Sequence, residues 1–152
     1  MKNSEKHKII EVLNRIMEHE LAGVVRYTHY SLMIFGHNRI PIADWMIKNS
    51  QEGLVHAHRA GELVTQLGGH PSLKIGELLE TERHDLNNIL EESLEHEKLA
   101  LDAYYELLGL AEKAGSVLLE EYAREMIVEE ETHASEVNKM LRNPGEIAEY
   151  AS

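Results

Sequence analysis

Residues 129–137 read "EEETHASEV", three consecutive carboxylates followed closely by a histidine. At about 100° per helical residue, Glu130 and His133 share one face, and Val137 and Met140 continue the same stripe. Glu129 and Glu131 fall about 100° to either side, toward solvent or a helix boundary. Glu130 and His133 therefore point inward, among apolar side chains, where a carboxylate and an imidazole need partners. Whether they have them depends on what the rest of the chain sets at the same depth.

Around this stretch the chain divides into four long helical segments. The first runs from about Ser4 to Phe35 and ends at Gly36 and Asn38. A second begins at Pro41, suited to a first helical position, and reaches Leu67 before "GGHP". The third extends from about Glu80 to Lys113, with Gly115 as its stop, and the fourth from Ser116 to about Arg142, before "NPGE". Prolines occur only at 41, 71 and 144, so the segments hold no interior breaker, and no alternating run marks a strand. Short loops make the first pair and the last pair antiparallel neighbours, while "GGHPSLKIGELL" (68–79) is long enough to cross a bundle. The expected fold is all-α: one domain over 1–152, an antiparallel four-helix bundle with a long crossover between helices two and three.

Positions spaced alternately three and four apart line the core of such a bundle. The first stripe is Ile9, Leu13, Ile16, Glu20, Val24, Tyr27, Ser31 and Ile34. Helix two gives Ile42, Trp45, Asn49, Glu52, His56, Ala60, Leu63 and Leu67. Helix three gives Leu86, Leu90, Ser93, Glu97, Ala100, Tyr104, Leu107 and Ala111, and helix four gives Leu119, Tyr122, Met126, Glu130, His133, Val137 and Met140. Each stripe carries one carboxylate near its middle, and two also carry a histidine. A lone inward Glu or His is ordinarily a hydrogen-bonded structural residue. Four buried carboxylates at one depth are different, since each desolvated charge costs several kcal/mol. No stripe offers Lys or Arg. Two divalent ions held by Glu20, Glu52, His56, Glu97, Glu130 and His133 would balance the charge, and this donor set suits iron or manganese. Tyr27 and Tyr104 each follow a stripe Glu by seven residues, in "ELAGVVRY" (20–27) and "EKLALDAY" (97–104), and the chain reads as a duplicated hairpin. These tyrosines are candidates for hydrogen-bonding the carboxylates, for donating electrons, or simply for filling the core. His58 lies about 160° around the helix from His56 and is expected to pair with Glu62 on the surface. The histidines at 7, 19, 29, 37, 70, 84 and 96 are expected to face outward.

A formal charge of −12 disfavours nucleic acid as a partner, because phosphate would be repelled, and "MKNSEKHK" (1–8) is too short a basic stretch to reverse that. The chain has no cysteine, which excludes disulfides, thiolate metal sites and redox dithiols. No charged-then-apolar leader or membrane-length apolar run is seen, so a cytoplasmic protein is expected.

In "EHELAGVVRY", "HAHRAGELVTQLGGHPSL" and "EEETHASEV" the chain resembles the bacterioferritin branch of the ferritin-like di-iron superfamily, from about Ile9 to Leu141. The resemblance implies a ferritin-like bundle binding two irons, with Glu20, Glu97, Glu130, His56 and His133 as ligands. It implies oxidation of Fe(II) by oxygen or peroxide for storage or detoxification, in a homo-oligomer of at least two subunits. The chain departs from the family at three places. Helix two has Gly53 where the family carries a ligand Glu, leaving Glu52 four residues before His56. Leu54 stands where haem-binding members have Met, so haem is not expected. Only "RNPGEIAEYAS" follows the last helix, barely enough for the short fifth helix that helps close a cage. Two other readings stay open. One is a di-metal redox enzyme that retains its metals and acts on peroxide, oxygen or a small organic substrate. The other is a metal-free interaction bundle whose buried carboxylates are protonated.

Overall fold

The computed structural model describes residues 1–147. Four helices account for nearly all regular structure: α1 (Asn3–Met33), α2 (Arg39–Gln66), α3 (Leu86–Ala114) and α4 (Val117–Leu141), with no strand among the described residues. Gly115 ends α3 in the left-handed conformation (φ 68°), and Ser116 starts α4 by accepting the Leu119 N–H. That two-residue stop-and-start folds α4 back along α3.

The third helix begins later than the Glu80 start expected from the sequence. Asp85 caps it by accepting the Asn88 N–H at 3.0 Å, and this local bond competes with extending the helix upstream. Residues 67–85 therefore form the link between α2 and α3, longer than the 68–79 stretch anticipated. They follow α1 toward its C-terminal end. Asn14 Nδ2 donates to the His70 carbonyl, the Ser72 N–H donates to Asn14 Oδ1, and the Gly76 N–H donates to the Glu18 carbonyl at 2.8 Å. Having travelled the length of α1, the chain enters α3 antiparallel to it.

Two apolar clusters fill the bundle, one on each side of a polar layer. The first gathers Leu13, Ile16, Leu107, Met126 and their neighbours; the second gathers Tyr30, Ile34, Met46, Ile89, Leu90 and Val137. The stripes expected for helices one, three and four are buried except at Val24, Leu86, His133 and Met140, which are half-buried. In α2 the buried line is Ala43, Met46, Asn49, Gly53, Ala57, Ala60 and Val64, one residue around from the expected stripe. Ile42, Trp45, His56, Leu63 and Leu67 are half-buried along its flank, and Glu52 is exposed. Among the described residues no helix is long and apolar enough to cross a membrane.

Candidate metal centre

Between the clusters, α1, α3 and α4 each bury one carboxylate: Glu20 (6% exposed), Glu97 (7%) and Glu130 (5%). Their isolation from cations is the central physical fact of the bundle. Among the described residues no Lys or Arg pairs with any of the three; each Lys or Arg ion pair is made with another Glu. Arg26, itself buried, donates to Tyr30 and to the Glu92 carbonyl instead. Burial, with the nearby Glu97 carboxylate adding to it, pushes the Glu130 carboxyl up to about 12. Burial acts on Glu97 in the same direction, but a hydrogen bond from Glu130 and the His133 ring outweigh it and hold Glu97 below its ordinary range. Burial thus favours the protonated form of Glu130, while its neighbours favour the ionised form of Glu97.

Both expected histidines reach this layer. His56 Nδ1 lies 3.6 Å from Glu20 and 4.0 Å from Glu130, and Glu20, His56 and Glu130 each offer a donor atom within 4.8 Å of the others. His133 Nε2 is 3.8 Å from Glu97. The Tyr27 hydroxyl donates to Glu97 in a short bond and lies 3.3 Å from His133 Nε2; the Tyr104 hydroxyl donates to Glu20 at 3.0 Å. Glu52 is exposed; it lines a cleft of about 580 Å³ between α2 and α4, where Trp45, Asn49 and His56 face Glu129, Glu130 and His133, and also a small inner pocket shared with Glu20, His56, Glu97, Glu130 and His133. His58 points away from the centre, with Nε2 3.6 Å from Glu62.

The register of α2 explains the position of Glu52. A Cβ on Gly53 would stand 3.1 Å from the Glu20 carbonyl oxygen and 3.3 Å from Val24 Cγ2, so α2 lies backbone-close against α1 at this point. The tight face belongs to glycine and alanine, and the ligand-type side chains project from the flank into the cleft.

Two residues near the centre were not singled out from the sequence. Glu129, at the helix boundary, reaches across to His56 Nε2 at 2.9 Å. Burial of the His56 ring opposes its protonation, but Glu20 and Glu129 together raise its pKa. His96, expected to face outward, is buried at 4% exposure and stacks on His19 with ring centroids 3.9 Å apart. His19 is itself half-buried and meets the His96 carbonyl at 2.7 Å. Gly23 makes the room, since a Cβ there would come within 2.8 Å of His96 Nε2. Burial, then the facing His19, lowers the His96 pKa to about 3, so this ring is neutral. The signal was the glycine beside Glu20 on α1, opposite the residue preceding Glu97.

The donor set passes a direct test of fit to a cation. Glu130 Oε2 is buried without a hydrogen-bond partner, and the centre offers carboxylate and imidazole donors with nothing positive to satisfy them. Hard oxygens and borderline nitrogens of this kind suit first-row dications.

Comparison with known proteins agrees with this architecture. The chain is 24% identical over 151 residues to a bacterioferritin of Desulfovibrio desulfuricans, covering 95% of this chain and 82% of that one. A crystal structure of ferritin-like, diiron-carboxylate proteins from Bacillus anthracis superposes with a TM-score of 0.87 at 22% identity, over 93% of this chain and 100% of that one. The X-ray structure of the Desulfovibrio desulfuricans bacterioferritin, described with its diiron site in different catalytic states, gives a TM-score of 0.83 at 22% identity, over 93% and 83%. The family model for the ferritin-like domain matches residues 10–145, and the chain belongs to that family.

Proposed function

We propose that the bundle centre is a di-iron site, held by Glu20, Glu52, His56, Glu97, Glu130 and His133, at which Fe(II) is oxidised by oxygen or peroxide. The observation that carries this reading is the Glu20–His56–Glu130 group, its two carboxylates buried, with Glu130 Oε2 unpartnered and no Lys or Arg among the described residues to balance it. Iron is favoured over manganese by the diiron descriptions of the two similar structures. When bound, iron supplies the one-electron redox chemistry that reduces the oxidant.

The protein's own groups orient the donors. With Glu129 accepting from His56 Nε2, the proton sits on that nitrogen and the Nδ1 lone pair faces Glu20 and Glu130. Tyr27 and Tyr104 fix the Glu97 and Glu20 carboxylates by donating to them. Dications at the centre would favour the ionised form of Glu130 over the protonated form that burial favours without them. The α2–α4 cleft is the route inward, and Glu52 stands where it can swing toward the centre. Leu54 is exposed and offers no sulfur to a haem, so haem has no part in this reading. A homo-oligomer of at least two subunits does.

The cleft volume, about 580 Å³, favours a second reading: a di-metal oxidase that keeps its metals and admits a small organic substrate. Anaerobic Fe(II) loading followed by oxygen separates the two. We expect oxidised iron to keep accumulating with each further addition under the first reading and to reach a fixed stoichiometry under the second. Replacing Glu130 and His133 together by Ala should remove two ions per chain, whereas His58→Ala should remove none. Unchanged iron content in the double variant would refute a di-iron centre here.

A further inference from the structure

We propose that His29, Glu80 and His84 form a separate metal site, taking a first-row dication such as Zn(II) or Co(II) and pinning the crossover to α1. The residues come from two segments: His29 from the exposed face of α1, and Glu80 and His84 from the crossover, His84 standing just before the Asp85 cap of α3. His29 Nε2 lies 3.0 Å from Glu80 Oε2, and His84 Nε2 lies 3.4 Å from Glu80 Oε1. One donor atom from each falls within 4.8 Å of the others. A tetrahedral ion with bonds of about 2.1 Å sets its donors roughly 3.4 Å apart, so little movement would close the site.

Two further observations favour a ligand over simple hydrogen bonding. His84 Nε2 is shielded from solvent yet makes no hydrogen bond, although it faces a carboxylate. The loop is also shaped to present the carboxylate. Glu82 adopts a positive φ of 56°, and its N–H donates to Glu80 Oε1 at 2.5 Å, which fixes that side chain between the two rings. No Lys or Arg pairs with Glu80 among the described residues. Two imidazoles and one carboxylate, with positions left for water, select zinc, cobalt or ferrous iron over magnesium or calcium.

The crossover needs such a fastening here. Its backbone bond to α1 is at Gly76, and beyond it Leu78 and Leu79 remain 47% and 59% exposed. A cavity of about 110 Å³ remains beneath them, beside Val25, Arg26 and Tyr30. A metal joining His29 to residues 80 and 84 would close this loosely packed end.

Co(II) titration of the full chain, with bound metal counted by equilibrium dialysis and coordination followed by visible absorption, tests the proposal. The wild type should bind one more Co(II) per chain than either His29→Ala or His84→Ala. His58→Ala, which removes a more exposed Glu-paired histidine away from both sites, should lose none. In the Glu130→Ala, His133→Ala background one Co(II) should remain and should vanish on adding His84→Ala. Equal stoichiometry in wild type and His84→Ala, or no ion in the background variant, overturns the proposal whatever happens at the bundle centre.

Discussion

Burial of Glu130 in the folded chain favours its protonated form when no metal is bound. Its folded value of about 12 stands far above the roughly 4.3 of an unfolded glutamate. Below pH 4.3 both states are protonated and the group costs nothing. As pH rises past that point the unfolded state releases a proton that the folded state keeps, so stability falls by up to about 1.4 kcal/mol per pH unit. Glutamine at 130 would stay neutral and still donate to Glu97. In excess chelator, the wild-type thermal midpoint should therefore decline from pH 5 to pH 8 more steeply than that of Glu130→Gln. His56, whose raised pKa also makes stability fall as pH rises through it, acts in both proteins and drops out of the difference. Parallel slopes in the two melting series would show that Glu130 is not held protonated.

At the scale of elements, α2 rests on small residues. Gly53, Ala57 and Ala60 lie on its contact face, and a Cβ at Gly53 would stand only 3.1 Å from the Glu20 carbonyl oxygen of α1. Gly53→Ala gains about 1 kcal/mol of helix propensity but forces overpacking that costs about 1–3 kcal/mol, so a net loss is expected. Gly109, inside α3, has nothing within 4 Å of where its Cβ would be, and Gly109→Ala should stabilise by about 1 kcal/mol. Denaturant melts of the two variants should shift in opposite directions; a shared sign would mean that α2 is not seated this closely. The same small residues explain where the sequence was legible. Leu13, Ile16, Leu90, Leu107 and Met126 advertise their faces by size and apolarity, and the buried stripes of α1, α3 and α4 followed from them. In α2 the contact face is nearly silent, while the larger Ile42, Trp45 and Leu63 on its flank drew the expected stripe one residue around, carrying Glu52 with it. The polar layer was readable because carboxylates interrupted apolar lines. His96 was not, because its space is made by a glycine on another helix. The Asp85 cap was visible in principle, as Asp three residues before an amide that it accepts, but continuing acidic, helix-compatible residues upstream masked it.

The whole molecule is two hairpins joined mainly along α1 and α3. Close backbone approaches link α1 with α2, α3 with α4, and α1 with α3, whereas α2 and α4 face each other across the cleft. Side chains alone span that seam. His56 meets Glu129, and Arg59 meets Glu125 at 3.1 Å, lies near Met126 and stacks over the Tyr122 ring. Exposed pairs such as Arg59–Glu125 are worth at most about 1 kcal/mol, so in the metal-free protein this is the seam that opens most easily. Dications held by His56 on one side and by Glu130 and His133 on the other would lock it, while Glu20 and Glu97 lie on helices already packed together. The stabilisation from metal binding should therefore be spatially uneven. Hydrogen–deuterium exchange with and without Fe(II) under anaerobic conditions should show added protection concentrated at residues 49–60 of α2 and 126–137 of α4, with smaller changes in the facing turns of α1 and α3. Protection spread evenly over all four helices, or confined to α1 and α3, would place the metal-dependent closure somewhere other than the α2–α4 seam.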